Sequence, residues 1–338
     1  MQAALGTVLS GLLSFGVAFG CACSDAPSGS SGSSGPSDLP RASDAALAGV
    51  ADSGAGAPRD PGRTSASSHD AANARVDAAS AHVDAAAARV DDAAGPSAPV
   101  ARSLPTPNAA LDYQLGGAYA PPDQVAIVVR DRREQPAPGL YNICYVNAFQ
   151  SQSEDESFWL TEHAALVLRD EAGQPVIDPD WDELLLDIRT PESRAGLLAI
   201  VGPWIEGCAR AGFAAVEIDN LDSYARSGKR LTQAQAVLFM RLLAATAHAA
   251  GLAIAQKNAA ELLARRAELD TDFAVVEECY RYDECGDFAE VYGDSVLVIE
   301  YRRADFDKGC QDFPQLSIVL RDLELVTPSS RAYVYAGC

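Results

Sequence analysis

From about residue 110 onward, the chain alternates two hydrophobic patterns. Short runs rich in Val, Ile and Leu read as strands at 112–116, 125–131, 141–148, 184–189, 214–220, 252–258, 273–277 and 296–301. Longer Ala- and Leu-rich stretches of helical period lie between them. Residues 191–211 carry Glu192 and Arg194 early and stop at Gly212, residues 232–250 open with a Thr232 cap and close at Gly251, and residues 259–269 make a third helix. Eight apolar strands with intervening helices in about 240 residues predict an α/β fold of the TIM (β/α)8 barrel type. A doubly wound open sheet is the rival, but no Gly-rich phosphate loop follows the first strand.

The pattern before residue 103 is different. Residues 3–20 are apolar and small, and Cys21 and Cys23 follow. This arrangement resembles a bacterial lipoprotein signal, with Cys21 or Cys23 as the acylated residue. An ordinary secretory signal is the alternative: the first twenty residues contain no Lys or Arg, and Phe19 sits where a smaller residue usually precedes the acceptor. Either way the protein is expected to be exported, as a bacterial cell-surface or outer-membrane lipoprotein or in secreted form. Between Cys21 and Ser103 there is no Trp, Tyr or Phe, and the stretch is almost entirely Ala, Ser, Gly, Pro, Asp and Arg. Such a segment buries too little apolar surface to offset its chain entropy and reads as a disordered low-complexity linker. Val-Asp recurs at Val76, Val83 and Val90, but one apolar position per heptad suits a spacer with nascent helix better than a coiled coil. The expected organisation is a signal peptide at 1–23, a linker at 24–103 and a folded domain at 104–338.

Charge narrows the partners. The chain has a formal net charge of −21, from 26 Lys and Arg against 47 Asp and Glu. Residues 103–338 hold −17 of it, from 37 acids and 20 bases. Like-charge repulsion argues against nucleic acid or an anionic membrane surface, leaving membrane contact to an N-terminal lipid anchor, and favours a cationic partner. A monomer is expected.

The strand ends carry repeated chemistry. Asp131, Asp187 with Arg189, Glu217 with Asp219 and Asn220, Lys257 with Asn258, Glu277 with Glu278, and Glu300 with Tyr301 each close a run. In a parallel barrel these ends gather at one face, where such barrels place their active sites. One charged strand end is ordinarily a solvated terminus; six converging ends are harder to explain without a function. His163 and His248 are the domain's only histidines, and no CxxC or HExxH is present, so neither a Ser-His-Asp triad nor a zinc site is indicated. Paired Asp and Glu without His or metal ligands fit glycoside hydrolysis. A Mg²⁺ or Ca²⁺ site is the runner-up for any acid cluster, and Lys257 on the same rim argues against it.

These residues bring a family into view. The segment Gly212-Phe213-Ala-Ala-Val-Glu217-Ile-Asp219-Asn220-Leu-Asp222-Ser-Tyr224 resembles the GF-x-x-VExDN-x-D-x-Y motif of glycoside hydrolase family 114. Gln256-Lys257-Asn258, Phe273 to Cys279 with Tyr282 and Glu284-Cys285, and Val298-Ile-Glu300-Tyr301 resemble it as well, as do Leu186-Asp187-Ile-Arg189 and Asp112-Tyr113-Gln114-Leu115. The resemblance runs from about Leu111 to Cys338. It implies a TIM barrel and an endo-α-1,4-polygalactosaminidase activity without a cofactor. The implied substrate is a polysaccharide with free amino groups, whose positive charge suits the acidic domain. The family's two catalytic carboxylates fall on Asp219 and Glu277, and the resemblance suggests a retaining mechanism; with Lys257 near Asp219 and Glu278 beside Glu277, Asp219 reads as the nucleophile and Glu277 as the acid/base, though the roles are interchangeable at this level. Asp131, Asp187, Arg189, Asn220, Asp222, Lys257, Asn258, Tyr282, Glu300 and Tyr301 are the substrate-binding candidates, and Tyr113, Tyr282 and Trp181 the aromatics that would stack on sugars. A surface carbohydrate-binding lipoprotein without catalysis is the alternative. The chain departs from the family pattern at Cys144 to Gln150, at Glu278 and Arg281, and in a link from Gly116 to Val125 too short for a first helix.

Six cysteines lie in the domain, and an even number in an exported domain reads as disulfides. Cys279 and Cys285 are placed to close a small loop, and Cys310 with Cys338 to staple the C-terminus. Cys144 and Cys208 remain, as a third bridge or as buried free thiols.

Overall fold

The computed structural model describes residues 102–338. The expected signal, the linker, Cys21 and Cys23 lie outside the described residues. Among the described residues no helix is long and apolar enough to cross a membrane.

The chain runs through β1 (Leu111–Gln114), β2 (Ile127–Asp131), β3 (Tyr141–Asn147), α1 (Glu156–Glu162), β4 (Ile177–Asp178), β5 (Glu183–Leu184) and α2 (Pro191–Ala211). It continues through β6 (Ala215–Asp219), α3 (Ser223–Arg226), α4 (Gln233–Ala249), β7 (Ala253–Lys257), α5 (Arg266–Leu269) and β8 (Phe273–Glu277). The remaining elements are α6 (Cys285–Tyr292), β9 (Val296–Glu300), α7 (Arg303–Asp312), β10 (Ser317–Arg321) and β11 (Tyr335–Gly337). One sheet holds the order β1-β2-β3-β6-β7-β8-β9-β10-β11. Its first eight strands are parallel, and β11 returns antiparallel on β10. Strand β10 comes back beside β1, so the sheet curls into a nearly closed barrel.

The helices follow their end signals. Helix α2 is capped by the Thr190 hydroxyl, which accepts from the Ser193 N–H, and it ends at Gly212 with φ 99°. A residue with a Cβ would be strained there, which is why the stop is a glycine. Helix α4 opens with a reciprocal capping box between Thr232 and Gln235, each side chain bonding the other's backbone N–H.

Two expectations need correction. Residues 184–189 are not a barrel strand. Only Glu183–Leu184 is extended, paired with Ile177–Asp178 in a separate antiparallel ribbon, while Leu185 and Leu186 make isolated bridges to Gln150 and Val167. Leu184, Leu185, Leu186 and Ile188 are buried in the core shared with α2 and α4, so the run is apolar because it is enclosed on all sides. Such a run cannot be told from a central strand by pattern alone. The eighth parallel strand is instead β10, a five-residue stretch absent from the expected set. The helical layer is also incomplete: no helix lies between β1 and β2, as the short link from Gly116 to Val125 implies, nor between β2 and β3. There the outer face is covered by Val125, Val128 and Ala137 with Leu140 and Tyr335.

Inside the barrel the strands alternate. Ala215, Ala253, Ala255, Phe273, Val275, Leu297 and Ile299 share the interior core with Leu111, Tyr113, Ile127, Val129, Ile143 and Tyr145. Their neighbours Val216, Ile218 and Ile254 face α2 and α4, and Ala274, Val276 and Val298 face α6 and α7. Because side chains alternate with a period of two, the last inward position of each strand points at the C-terminal mouth.

Three disulfides tie the fold. Cys144–Cys208 joins β3 to α2 across 64 residues, Cys279–Cys285 closes a loop six residues apart, and Cys310–Cys338 joins α7 to the C-terminus across 28. On the chain-entropy account, closing a loop the size of the first contributes roughly 4 kcal/mol.

Candidate active site

The last inward residues of β6, β7 and β8 are Asp219, Lys257 and Glu277. They meet in a cleft of about 370 Å³ at the C-terminal mouth. Immediately after each strand the backbone turns through the left-handed region, at Asn220 (φ 61°), Asn258 (φ 44°) and Glu278 (φ 53°). Asn tolerates this conformation, whereas Glu278 holds it at a cost of about 1 kcal/mol. These turns lift the chain off the rim and leave the preceding side chain facing the cleft.

Lys257 is the cationic centre. It is 3% exposed, and its Nζ lies 3.1 Å from Glu217 Oε1, 3.1 Å from Asp219 Oδ1, 3.1 Å from Glu277 Oε2 and 3.2 Å from the Tyr113 hydroxyl. Burial works against the ammonium, but contact with these oxygens outweighs it and raises the Lys257 pKa well above the ordinary lysine value. Asp219 accepts from the Tyr145 hydroxyl at 2.6 Å as well as from Lys257. Burial would raise its pKa, yet Lys257, Tyr145 and the Asn220 backbone N–H together hold it below the usual carboxylate range. Glu277 is held differently. Tyr301 donates to its Oε1, Asn258 Nδ2 donates to its Oε2 at 3.2 Å, and its backbone N–H donates to Asn258 Oδ1 at 2.8 Å. Tyr113, Tyr145 and Tyr301 are pushed well above the ordinary tyrosine value, chiefly by burial, and so remain donors.

The walls come from insertions. The β4–β5 ribbon brings Trp181, 62% exposed, and Glu183 to one side. Its anchor is buried Asp178, which accepts from Gln150 at 2.8 Å and pairs with Arg226; Arg226 also bonds Asp222 at 2.8 Å and Asn220 at 2.9 Å. Burial, with help from Asp219, Asp178 and Glu154, pushes Glu183 up to about 7 against the opposing hydrogen bond from Asn147. On the other side, the turn after β10 contributes Leu323, Glu324 and Leu325. It packs so closely on Gly116 that any side chain there would collide with the Leu325 backbone. Five acids and two bases face the cleft, and Arg226 is already matched by carboxylates.

Of the residues singled out in the sequence, Tyr113, Trp181, Asp219, Asn220, Asp222, Lys257, Asn258, Glu277 and Tyr301 line this one cleft. Others do not. Asp131 accepts from Gln152 and the Arg133 N–H at the end of β2. Asp187 and Arg189 pair with each other outside the barrel, since their segment is not a barrel strand. Glu300 follows Ile299 and so faces outward, taking the Tyr280 N–H beside the bonded Cys279 and Cys285. Tyr282 lies under the Arg281 guanidinium, away from the lining. Tyr113 is fully buried at the cleft floor, its ring in the core and its hydroxyl at the cluster. Several lining residues were missed, among them Tyr145, Glu183, Arg226 and Leu325. Tyr145 and Leu325 lacked a polar strand-end signature, Glu183 sits on a ribbon created only by the fold, and Arg226 is three residues into the helix after the Asp222 motif position. Inward parity on β3 was the one signal that points to Tyr145.

A parallel barrel with two carboxylates at one mouth, set around an ammonium in an acidic cleft, has the build of a glycoside hydrolase. A family model described as "Glycoside-hydrolase family GH114" matches residues 92–338. The chain therefore belongs to glycoside hydrolase family GH114. Among solved structures, it is similar to the crystal structure of Aspergillus fumigatus Ega3 in complex with galactosamine. That match has 21% identity and a TM-score of 0.56, covering 70% of this chain and 98% of the other. The glycoside hydrolase domain of PelA from Pseudomonas aeruginosa is matched at 16% identity and a TM-score of 0.46, over 68% of this chain and 98% of that one. Comparison with curated proteins gives no match.

Proposed function

We propose that the domain is an endo-acting hydrolase of α-1,4-linked galactosamine-containing polysaccharide, working through a retaining mechanism with Asp219 as nucleophile and Glu277 as acid/base. The observation that carries this reading is the shared contact of both carboxylates with Lys257 Nζ, each at 3.1 Å. Two such legs meeting at one nitrogen keep those oxygens within roughly 6 Å of each other, a closeness compatible with the retaining arrangement, whose carboxyl groups stand about 5–5.5 Å apart. The roles are those the sequence and its family resemblance suggest, and the ionised state of Asp219 beside Lys257 and Tyr145 supports its part. Asp219, held ionised by Lys257 and Tyr145, attacks the anomeric carbon while Glu277 gives its proton to the departing glycosidic oxygen. The products of that step are a glycosyl ester on Asp219 and a free sugar hydroxyl. Glu277, now ionised, takes a proton from water as the water oxygen attacks the same carbon, and Asp219 leaves as the carboxylate.

The substrate class rests on charge and on the relatives. Ega3 is described in complex with galactosamine, and a cleft with an excess of acids suits a sugar chain that carries ammonium groups. Trp181 and Tyr301 offer ring surface at the mouth, and Asp222, Glu183 and Glu324 offer carboxylates. Three disulfides fit an exported protein, and we read the segment before the domain as a lipid-anchored or secreted signal with a linker. The test is release of reducing ends from deacetylated polygalactosamine, with D219N and E277Q as controls. Wild-type cleavage lost in both variants supports the reading. Tight binding without wild-type cleavage overturns it in favour of a binding lipoprotein, and undiminished turnover in either variant removes the assigned pair.

A further inference from the structure

Glu217 stands one inward position below Asp219 on β6 and has no exposed surface. Its Oε1 accepts a hydrogen bond from the Tyr113 hydroxyl at 2.6 Å and lies 3.1 Å from Lys257 Nζ, while its Oε2 meets no donor. Lys257 has three N–H bonds to give, and four oxygens lie around it, from Glu217, Asp219, Glu277 and Tyr113. It cannot serve all four at once. Glu217 is the one carboxylate of the three that the cleft does not expose, so it has no route to substrate.

We propose that Glu217 is a positioning residue of the active site: from beneath the reacting carboxylates it competes for Lys257 and sets how strongly that ammonium serves Asp219 and Glu277. The inference rests on the reading of those two residues as the catalytic pair. The groups that face this cluster are Tyr113 from β1, Tyr145 from β3, Asp219 from β6, Lys257 from β7, Glu277 from β8 and Tyr301 beyond β9. Arg321 of β10 is turned to Asp112 instead. Burial, opposed by Lys257 and by the Tyr113 hydrogen bond, pushes Glu217 up to about 7, so its charge changes near neutral pH. Carboxyls sharing one ammonium lose their protons in steps that belong to the cluster. Taking away one negative charge lets the others release their last proton at lower pH.

The experiment is the pH profile of kcat and kcat/KM for wild type, E217Q, Y113F and E277Q, with thermal melts of each. E217Q is expected to fold, to keep KM within about twofold, and to move the alkaline limb down by about one pH unit. Y113F removes the hydroxyl that favours the Glu217 anion, so Glu217 stays neutral to higher pH and the limb moves the same way by less. A folded E217Q whose limb is unmoved, or whose kcat falls equally at every pH, overturns the proposal. If E217Q does not fold, the Y113F limb decides alone. An active E277Q instead overturns the catalytic reading beneath it, whereas a dead E277Q with an unmoved E217Q limb removes only the role of Glu217.

Discussion

The barrel contains two buried groupings of a cation with carboxylate, and they differ in how fully their hydrogen bonds are met. At the seam between β10 and β1, Arg321 and Asp112 are both without exposed surface. Arg321 bonds Asp112, the Tyr113 carbonyl, the Val326 carbonyl at 3.0 Å and the Val334 carbonyl at 3.0 Å. Asp112 also accepts from Gln114 at 2.7 Å and Tyr119 at 2.9 Å. The planar guanidinium fork thereby stitches two strands that share no ladder hydrogen bonds. At the mouth, Lys257 has more acceptors than protons, and Glu217 Oε2 is left without a donor. A network in which donors and acceptors match holds one geometry. A network short of protons has several arrangements of similar energy, which is what proton transfer needs.

Breaking each network should therefore fail in a different way. The largest effect is expected from D219N, which should lower kcat by roughly 10³-fold or more while leaving the melting temperature nearly unchanged. Steady-state rates and a thermal melt read both. R321M should do the reverse, destabilising by about 3–5 kcal/mol because it leaves Asp112 buried and unpaired. Urea unfolding measures the loss, and the remaining folded protein should keep its KM. An R321M protein of normal stability would erase the contrast.

Stability should also depend on pH in a stated direction. Burial pushes Glu183, Glu217 and Glu300 each up to about 7 from 4.5. The folded state therefore holds more protons than the unfolded one between these values. The stabilisation is present below about 4.5 and is lost as pH rises through about 7. Melts across that window should fall with pH, and E300Q should flatten the fall by about 2–4 °C with kcat/KM within about twofold. A kcat/KM loss in E300Q would place it back in the site. The smallest effect is expected from salt: between low and high ionic strength KM should rise a few-fold, about two to five, while kcat changes less. A KM insensitive to salt would make the acidity a solubility feature.

Much of this was legible along the chain. The motif around Asp219, the Lys257-Asn258 pair and Glu277 each sit at the end of a mostly apolar run, so the candidate groups stood out where polarity breaks an apolar pattern. The helices at 191–211 and 233–249 were marked by their caps. Glu300 shows where that logic stops. A strand end says that a residue is near the rim, but a single-residue change in parity sends it to the opposite face. Tyr301 points in, and Glu300 points out. Leu184 to Ile188 shows the second limit, because hydrophobicity records burial and not the partner that provides it.

The sequence by itself determined the alternation of strand and helix, the acidic character of the domain, the family motifs and the carboxylates Asp219 and Glu277. Those are local properties, written in composition and short-range spacing. The tertiary structure alone decided that β10 is the eighth strand, that an inserted ribbon brings Glu183 and Trp181 to the cleft, and that Tyr113, Tyr145 and Glu217 join Lys257 in one cluster. Tyr113 and Glu217 are 104 residues apart and bond at 2.6 Å only because the barrel closes. Contacts between strands on opposite sides of a barrel depend on closure and on inward parity in every intervening strand, and no single stretch of sequence encodes either.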